Sequence, residues 1–146
     1  MHAMHAPEHA FRLEMVAPET DVDELGHVSN VAYVRWIQDV AVAASSARGY
    51  DLAAYQALGA VFVVRRHEIE YLSPAFGGDA IVLVTWVESF RGASSIRRTE
   101  VLRKSDEKHL VTAVTRWVFV GTTDAKPRRI PREMAQRFGL DGPAPA

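Results

Sequence analysis

Four long stretches of the chain are rich in Val, Ile, Thr, Trp and Phe: Val61 to Leu72, Ala80 to Phe90, Ala93 to Lys104 and Leu110 to Val120. The short breaks between them hold Gly77-Gly78-Asp79, Arg91-Gly92 and Ser105-Asp106-Glu107, residue types that suit turns. Parallel neighbours need a crossover of a dozen or more residues, so connections this short predict antiparallel hairpins. The rest of the chain must fit against that sheet.

A further strand is expected at Phe11 to Ala17, where apolar and polar residues alternate. After a polar loop, Ser29 or Asn30 can cap a helix from about Val31 to Arg48, with Gly49 as its stop. Val34, Ile37, Val40, Ala41 and Ala44 form its apolar stripe, and the run Ala41 to Ala47 makes its second half slim. A slim helix suits a sheet that wraps around it, although one lying on a flat sheet could also be slim. Asp51 to Leu58 reads as a short second helix and Pro131 to Phe138 as a last helical turn. Wrapping five strands around one helix leaves long edge strands, which invite pairing with a second copy, so at least a dimer is expected.

The chain has 146 residues, enough for one domain whose folding buries about two-thirds of its surface. Residues 10–138 form that domain, with residues 1–9 and 139–146 expected as flexible tails. His2, His5 and His9 belong to the first tail and read as unstructured rather than as a chelator. The absence of cysteine excludes a thiol nucleophile, disulfides and Cys-ligated metal centres. With 17 Lys and Arg against 18 Asp and Glu, there is no basic excess to suggest a nucleic-acid partner. No apolar run approaches the ~18–20 residues of a membrane span and no signal peptide is visible, so a cytoplasmic protein without a membrane partner is expected.

The densest group of chemically useful residues is Asp21-Val-Asp-Glu-Leu-Gly-His-Val-Ser-Asn30, between the first strand and the long helix. It offers the carboxylates Asp21, Asp23 and Glu24, a glycine at 26, and a helix start whose first N–H groups favour negative charge. An acid–base group facing such donors suits acyl transfer. The same residues are also ordinary turn and cap formers, and His27 alone would equally serve as a hydrogen-bonded structural histidine.

Asp21 to Gln38, DVDELGHVSNVAYVRWIQ, resembles the signature D-x-D-x-x-G-H-V-N-N-x-x-Y-x-x-W/F of hotdog-fold acyl-CoA thioesterases of the 4-hydroxybenzoyl-CoA thioesterase-like branch. The segment Arg66 to Asp79 is similar to that family's E-x-x-Y-x-x-P-x-x-x-G-D passage, and Lys126 to Pro131 to its R-x-x-x-I-P ending. Ser29 stands where Asn is commoner, and Glu24 and Leu25 replace smaller residues. The resemblance implies an α+β hotdog fold: an antiparallel sheet of five or six strands wrapped around one long helix, paired as a homodimer or dimer of dimers. It implies an enzyme hydrolysing an acyl-CoA thioester, with acyl-CoA as partner and no cofactor or metal. Asp23 falls on the catalytic carboxylate, as general base or nucleophile. Asn30 falls where a backbone N–H polarises the carbonyl, and His27 shapes the site. Gly26 and Tyr33 match binding positions, though Tyr33 could simply pack, and Asp21 has a supporting or turn-forming role.

CoA carries phosphates, so cations should line its path. Candidates are Arg65, Arg66, Arg97, Arg98, Arg103, Lys104, Lys126, Arg128 and Arg129, of which the pair Arg128 and Arg129 is favoured. Adjacent strand residues such as Arg97 and Arg98 face opposite ways, so only some can converge. His67, Trp86, Trp117 and Phe119 are expected as packing residues. The competing reading is a non-catalytic acyl-CoA or acyl-carrier binding module on the same fold, since fold does not fix function.

Overall fold

The computed structural model describes residues 6–142. Five strands, β1 (Phe11–Val16), β2 (Ala60–Tyr71), β3 (Ala80–Arg91), β4 (Ser94–Arg103) and β5 (His109–Gly121), form one antiparallel sheet in the order β1-β3-β4-β5-β2. The helices are α1 (Asn30–Ala47), α2 (Leu52–Leu58) and α3 (Arg132–Arg137). This is the hotdog arrangement, with five strands rather than six. Among the described residues no helix is long and apolar enough to cross a membrane.

The hairpins expected from the short breaks form between β3 and β4 and between β4 and β5. Between β2 and β3 no hairpin forms. β2 pairs with β5, and the segment after Tyr71 crosses to the opposite side of the sheet, where β3 pairs with β1. Eight residues separate these two strands, enough to span the end of a curved sheet instead of turning back. The crossing segment gains backbone partners there: Ala75 O accepts the Val28 N–H at 2.9 Å, and Phe76 bridges His27. It thereby packs against the Asp23 loop.

Ser29, not Asn30, is the N-cap of α1, its Oγ accepting the Ala32 N–H at 3.3 Å. Gly49, at φ +92, supplies the left-handed step after the helix. The buried face differs from the expected stripe: Tyr33 and Trp36 are buried while Val34 is only half-buried. Aromatic rings are admitted where the sheet is open enough, at the first half of the helix. There Ala32, Tyr33, Trp36 and Val40 meet Ile81, Leu83, Val101 and Val111. A second cluster, under the slim half of α1, joins Tyr55, Phe90 and Phe119 to Ile130, Met134 and Phe138 around α3. Burying side chains of this size stabilises by about 1.5–3 kcal/mol each. His9 packs beside Gly139, and its carbonyl accepts a bond from Arg48, so the described ends of the chain lie against one another. His2 and His5 lie outside the described residues.

Candidate active site

The loop between β1 and α1 is fixed before any functional group is placed on it. Asp21 closes a 3-10 turn, Glu19–Asp21, and is buried. Its carboxylate accepts from Arg35 Nη2 and, at 3.0 Å, from Trp36 Nε1, both one turn into α1. Its carbonyl accepts the Ser29 N–H at 2.9 Å. The first aspartate of the motif therefore ties the loop to the helix it precedes.

Asp23, two residues on, is exposed. Its Oδ1 accepts the Leu25 N–H at 2.9 Å and the His27 N–H at 3.2 Å, a turn in which the side chain orients itself on its own backbone. Its N–H donates to His27 O at 2.8 Å and its carbonyl accepts the Gly26 N–H at 3.0 Å. Gly26 sits at φ +81, where a side chain is disfavoured, although nothing lies within 4 Å of a Cβ there. The second carboxylate oxygen, Oδ2, has no protein partner among the described residues and is open to solvent.

His27 is half-buried and meets Phe76 edge-on, with ring centroids 5.1 Å apart. Phe76 is held in turn by the crossing segment. Its N–H donates to Asp79 Oδ2 at 2.9 Å, and the Arg103 guanidinium lies over its ring at 5.9 Å. Arg103 binds Asp79 at 3.1 Å, Asp106 at 2.9 Å and Pro74 O at 2.7 Å. These bonds favour its charged form against the cost of burial, so its pKa is raised. Phe76, Asp79 and Arg103 shape the site from behind. The glycine pair before Asp79 in the second motif was the available signal for the first two; nothing in the sequence paired Arg103 with them.

Asn30 is the first residue of α1 and exposed. Ser29 takes the Ala32 N–H, while the earlier Asn30 and Val31 N–H groups have no helical carbonyl in front of them. Tyr33 is buried, meets Trp36 edge-on and Tyr71 at a tilt, and its Oη accepts the Ala75 N–H at 3.2 Å. Burial above all raises its pKa, so the phenol stays protonated. It packs beneath the loop rather than lining an open surface.

The cations separate into committed and free groups. Arg98 pairs with Glu88 at 3.2 Å, Lys104 with Glu14 at 2.8 Å, and Arg97 is buried under α1. Arg65, Arg66, Lys126, Arg128 and Arg129 are exposed, with Arg66 3.9 Å from Glu68 and Arg128 3.8 Å from Asp124. Within one chain the favoured pair is far from Asp23. Arg128 lies beside Gly59 and Gly121, at the Ala60 end of β2, while the Asp23 loop packs at the Tyr71 end. A strand of 12 residues separates these ends by about 36 Å. His67 is half-buried, its Nδ1 2.9 Å from Thr115 Oγ1.

A helix wrapped by a five-stranded antiparallel sheet, with an oriented carboxylate just ahead of the capped helix start, is an arrangement that supports thioester hydrolysis. The chain belongs to the thioesterase-like superfamily, whose family profile matches residues 17–138. Among individual relatives, it is 27% identical over 118 residues to the acyl-CoA thioester hydrolase YbgC of Escherichia coli O6:H1, covering 81% of this chain and 87% of that one. Solved structures share the fold. The 1,4-dihydroxy-2-naphthoyl-CoA thioesterase Slr0204 from Synechocystis superposes with a TM-score of 0.81 at 18% identity, over 92% of this chain and 99% of that one. A putative oleoyl thioesterase from Lactobacillus plantarum gives 0.86 at 14% identity, over 94% of this chain and 52% of that one. SAV2348 from Staphylococcus aureus, solved in complex with CoA, gives 0.83 at 14%, over 95% and 86%.

Proposed function

We propose that the protein hydrolyses acyl-CoA thioesters to a free acid and CoA, with Asp23 as the reacting carboxylate. One observation carries the reading: Asp23 Oδ1 is held by two backbone N–H groups, which leaves Oδ2 oriented and unoccupied seven residues before the capped start of an 18-residue helix. The relatives named above for acyl-CoA hydrolysis support the choice of substrate.

The thioester carbonyl oxygen lies at the start of α1, where the Asn30 N–H stabilises the negative charge that develops on it. Removing one such donor typically costs about 10²–10³-fold in rate. Asp23 Oδ2 either takes a proton from the water that attacks the carbonyl carbon or attacks that carbon itself, giving an anhydride that water then opens. In both cases the C–S bond breaks and sulfur leaves as thiolate, a modest demand for a group of pKa ~8.5. His27, braced on Phe76, and Gly26 hold the turn that aims Asp23.

The cations reach the site by pairing. β2 is an edge strand of 12 residues, with Val63 and Tyr71 exposed along it and Leu72 exposed just beyond its end. Joined antiparallel to the same strand of a second copy, it brings the Ala60 end of one chain to the Tyr71 end of the other. The site is then composite, with Arg128 of the partner subunit and Arg129 of the partner subunit meeting the CoA phosphates beside Asp23. Sedimentation equilibrium should give a mass of at least twice 16.2 kDa.

The deciding experiment is thiol release from a panel of aromatic and aliphatic acyl-CoAs by the wild type and Asp23→Asn. Turnover that falls about 10²–10⁴-fold in the variant, with CoA affinity retained, supports the reading. Tight CoA binding without turnover by the wild type would instead identify a non-catalytic acyl-CoA or acyl-carrier binding module. A single turnover in ¹⁸O-water that leaves label in Asp23 identifies it as the nucleophile, because a general base forms no bond to the acyl carbon and gains no water oxygen.

A further inference from the structure

One cavity of the chain lies away from the Asp23 loop. It has a volume of about 160 Å³ and lies between the second half of α1, at Ala41 and Ser45, and the inner face of β2 to β5. Its first helical residue stands 11 positions beyond Asn30, about 16 Å along the axis. Tyr50, Tyr55, Phe62, Phe90 and Phe138 make up much of its wall. A dry engineered cavity of about 150 Å³ holds one benzene, so this one has room for a single ring or a short branched chain.

Two of its polar groups, Arg97 and Trp117, are donors short of acceptors. Arg97 projects from the inner face of β4 and is 6% exposed. One N–H of its guanidinium meets Thr85 Oγ1 at 3.2 Å, and its flat face lies 5.8 Å from the Phe138 ring centre. Arg97 forms no ion pair within 4 Å among the described residues, and Thr85 supplies an acceptor for one of its five N–H groups. Burial chiefly, and Arg48 in addition, lower its pKa to about 10 against an opposing effect of Tyr55; the group remains a cation at neutral pH. Trp117, also in the lining, has a buried Nε1–H without a partner. Two of the lining hydroxyls, Ser45 and Tyr55, are already committed as donors. Ser45 Oγ gives its proton to Tyr50 O at 2.8 Å, so Tyr55 Oη must give its own to Ser45 at 2.6 Å. A ligand that meets Arg97 and Trp117 brings acceptors, negative charge and a small apolar body, and keeps that charge away from Asp51, which also lines the pocket and caps α2.

We propose that this cavity is a binding site for a small apolar carboxylate, its body among Tyr50, Tyr55, Phe62 and Phe90 and its carboxylate on Arg97. The recognition is a charge-assisted fork inside a largely apolar pocket, where such bonds are stronger than in water. Within one chain the site is separate from the Asp23 loop, and it does not depend on the hydrolytic reading, because its readout is binding.

Isothermal titration of the full chain with benzoate, and with benzamide as neutral isostere, tests it. Saturable binding of one benzoate per chain is expected, weakened at least tenfold in Arg97→Met and absent for benzamide. Met spans a similar length, and replacing a buried charge by an apolar residue is often neutral or stabilising. Should Arg97→Met not fold, Ser46→Phe at the exposed rim fills the mouth instead and should abolish binding. Competition in Asp23→Asn, whose slow turnover preserves the thioesters, with lauroyl-CoA and its ω-carboxy counterpart separates the two sources of such a carboxylate. Displacement by the ω-carboxy thioester alone identifies the far end of an acyl group; displacement by neither identifies a free acid. No benzoate binding, equal binding in Arg97→Met or of benzamide, undiminished binding in Ser46→Phe, or displacement by both thioesters would each overturn the proposal.

Discussion

Replacing Asp21 by Ala should cost stability, whereas replacing Asp23 by Asn should cost turnover, although a single residue stands between them. The Asp21→Ala change strips the buried Trp36 Nε1–H of its acceptor, at a cost of about 1–3 kcal/mol. Its second partner, Arg35, is 52% exposed and regains water, so that ion pair contributes under about 1 kcal/mol. A loss of about 2–3 kcal/mol lowers the melting temperature of a domain of this size by roughly 6–12 °C. Asp23→Asn keeps an oxygen at Oδ1 for the Leu25 and His27 N–H groups, so the turn and the melting temperature should survive. Turnover should fall about 10²–10⁴-fold, the usual contribution of a lost general base. Thermal unfolding by circular dichroism and thiol release at 25 °C, run on both variants, separate the two effects. An Asp21→Ala protein that melts with the wild type, or an Asp23→Asn protein with undiminished turnover, would refute the division of labour.

Three further outcomes follow from the same geometry. Gly26→Ala forces a side chain to φ +81 in open space, so the loss is backbone strain alone, about 1–2 kcal/mol, visible as a lower denaturation midpoint together with lower turnover. Arg103→Ala releases Asp79, Asp106 and Pro74 O from a largely buried guanidinium, and about 2 kcal/mol of stability should go with them. Chemical denaturation measures it, and an unchanged midpoint would remove Arg103 as the anchor of Phe76. Burial lowers the pKa of His67 from 6.5, so between the folded and unfolded values the unfolded chain binds the extra proton. Its contribution is therefore complete above 6.5 and lost as pH falls below it; melting curves from pH 7.5 to 5 should slope less in His67→Asn than in the wild type.

Much of the fold was legible in the chain because local chemistry and tertiary demand agree there. The β-branched runs became strands within a residue or two of their expected limits, and Asp51 caps α2 through a 2.9 Å bond to the Ala54 N–H. Agreement failed where a segment's length permits two courses. The residues between Tyr71 and Ala80 could turn back or cross over, and what decided was the backbone pairing they find against His27 and Val28. The helical stripe was misplaced at Val34 for a related reason. Periodicity marks a face, but whether Tyr33 and Trp36 enter it depends on the space the sheet leaves.

The sequence by itself determined the family signature, the antiparallel strands, and the position of one aspartate ahead of a capped helix, since all three depend on residues near one another in the chain. Only the tertiary structure decided what each charge does. Asp21 and Asp23 are alike in sequence, yet one is buried against Trp36 and the other carries an oriented, open oxygen. Arg97 and Arg98 are neighbours, yet the pleat turns one inward to line a cavity and the other toward Glu88 at the surface. A charge has no role until its surroundings are known: its energy depends on the dielectric and the partners around it, which distant parts of the chain supply.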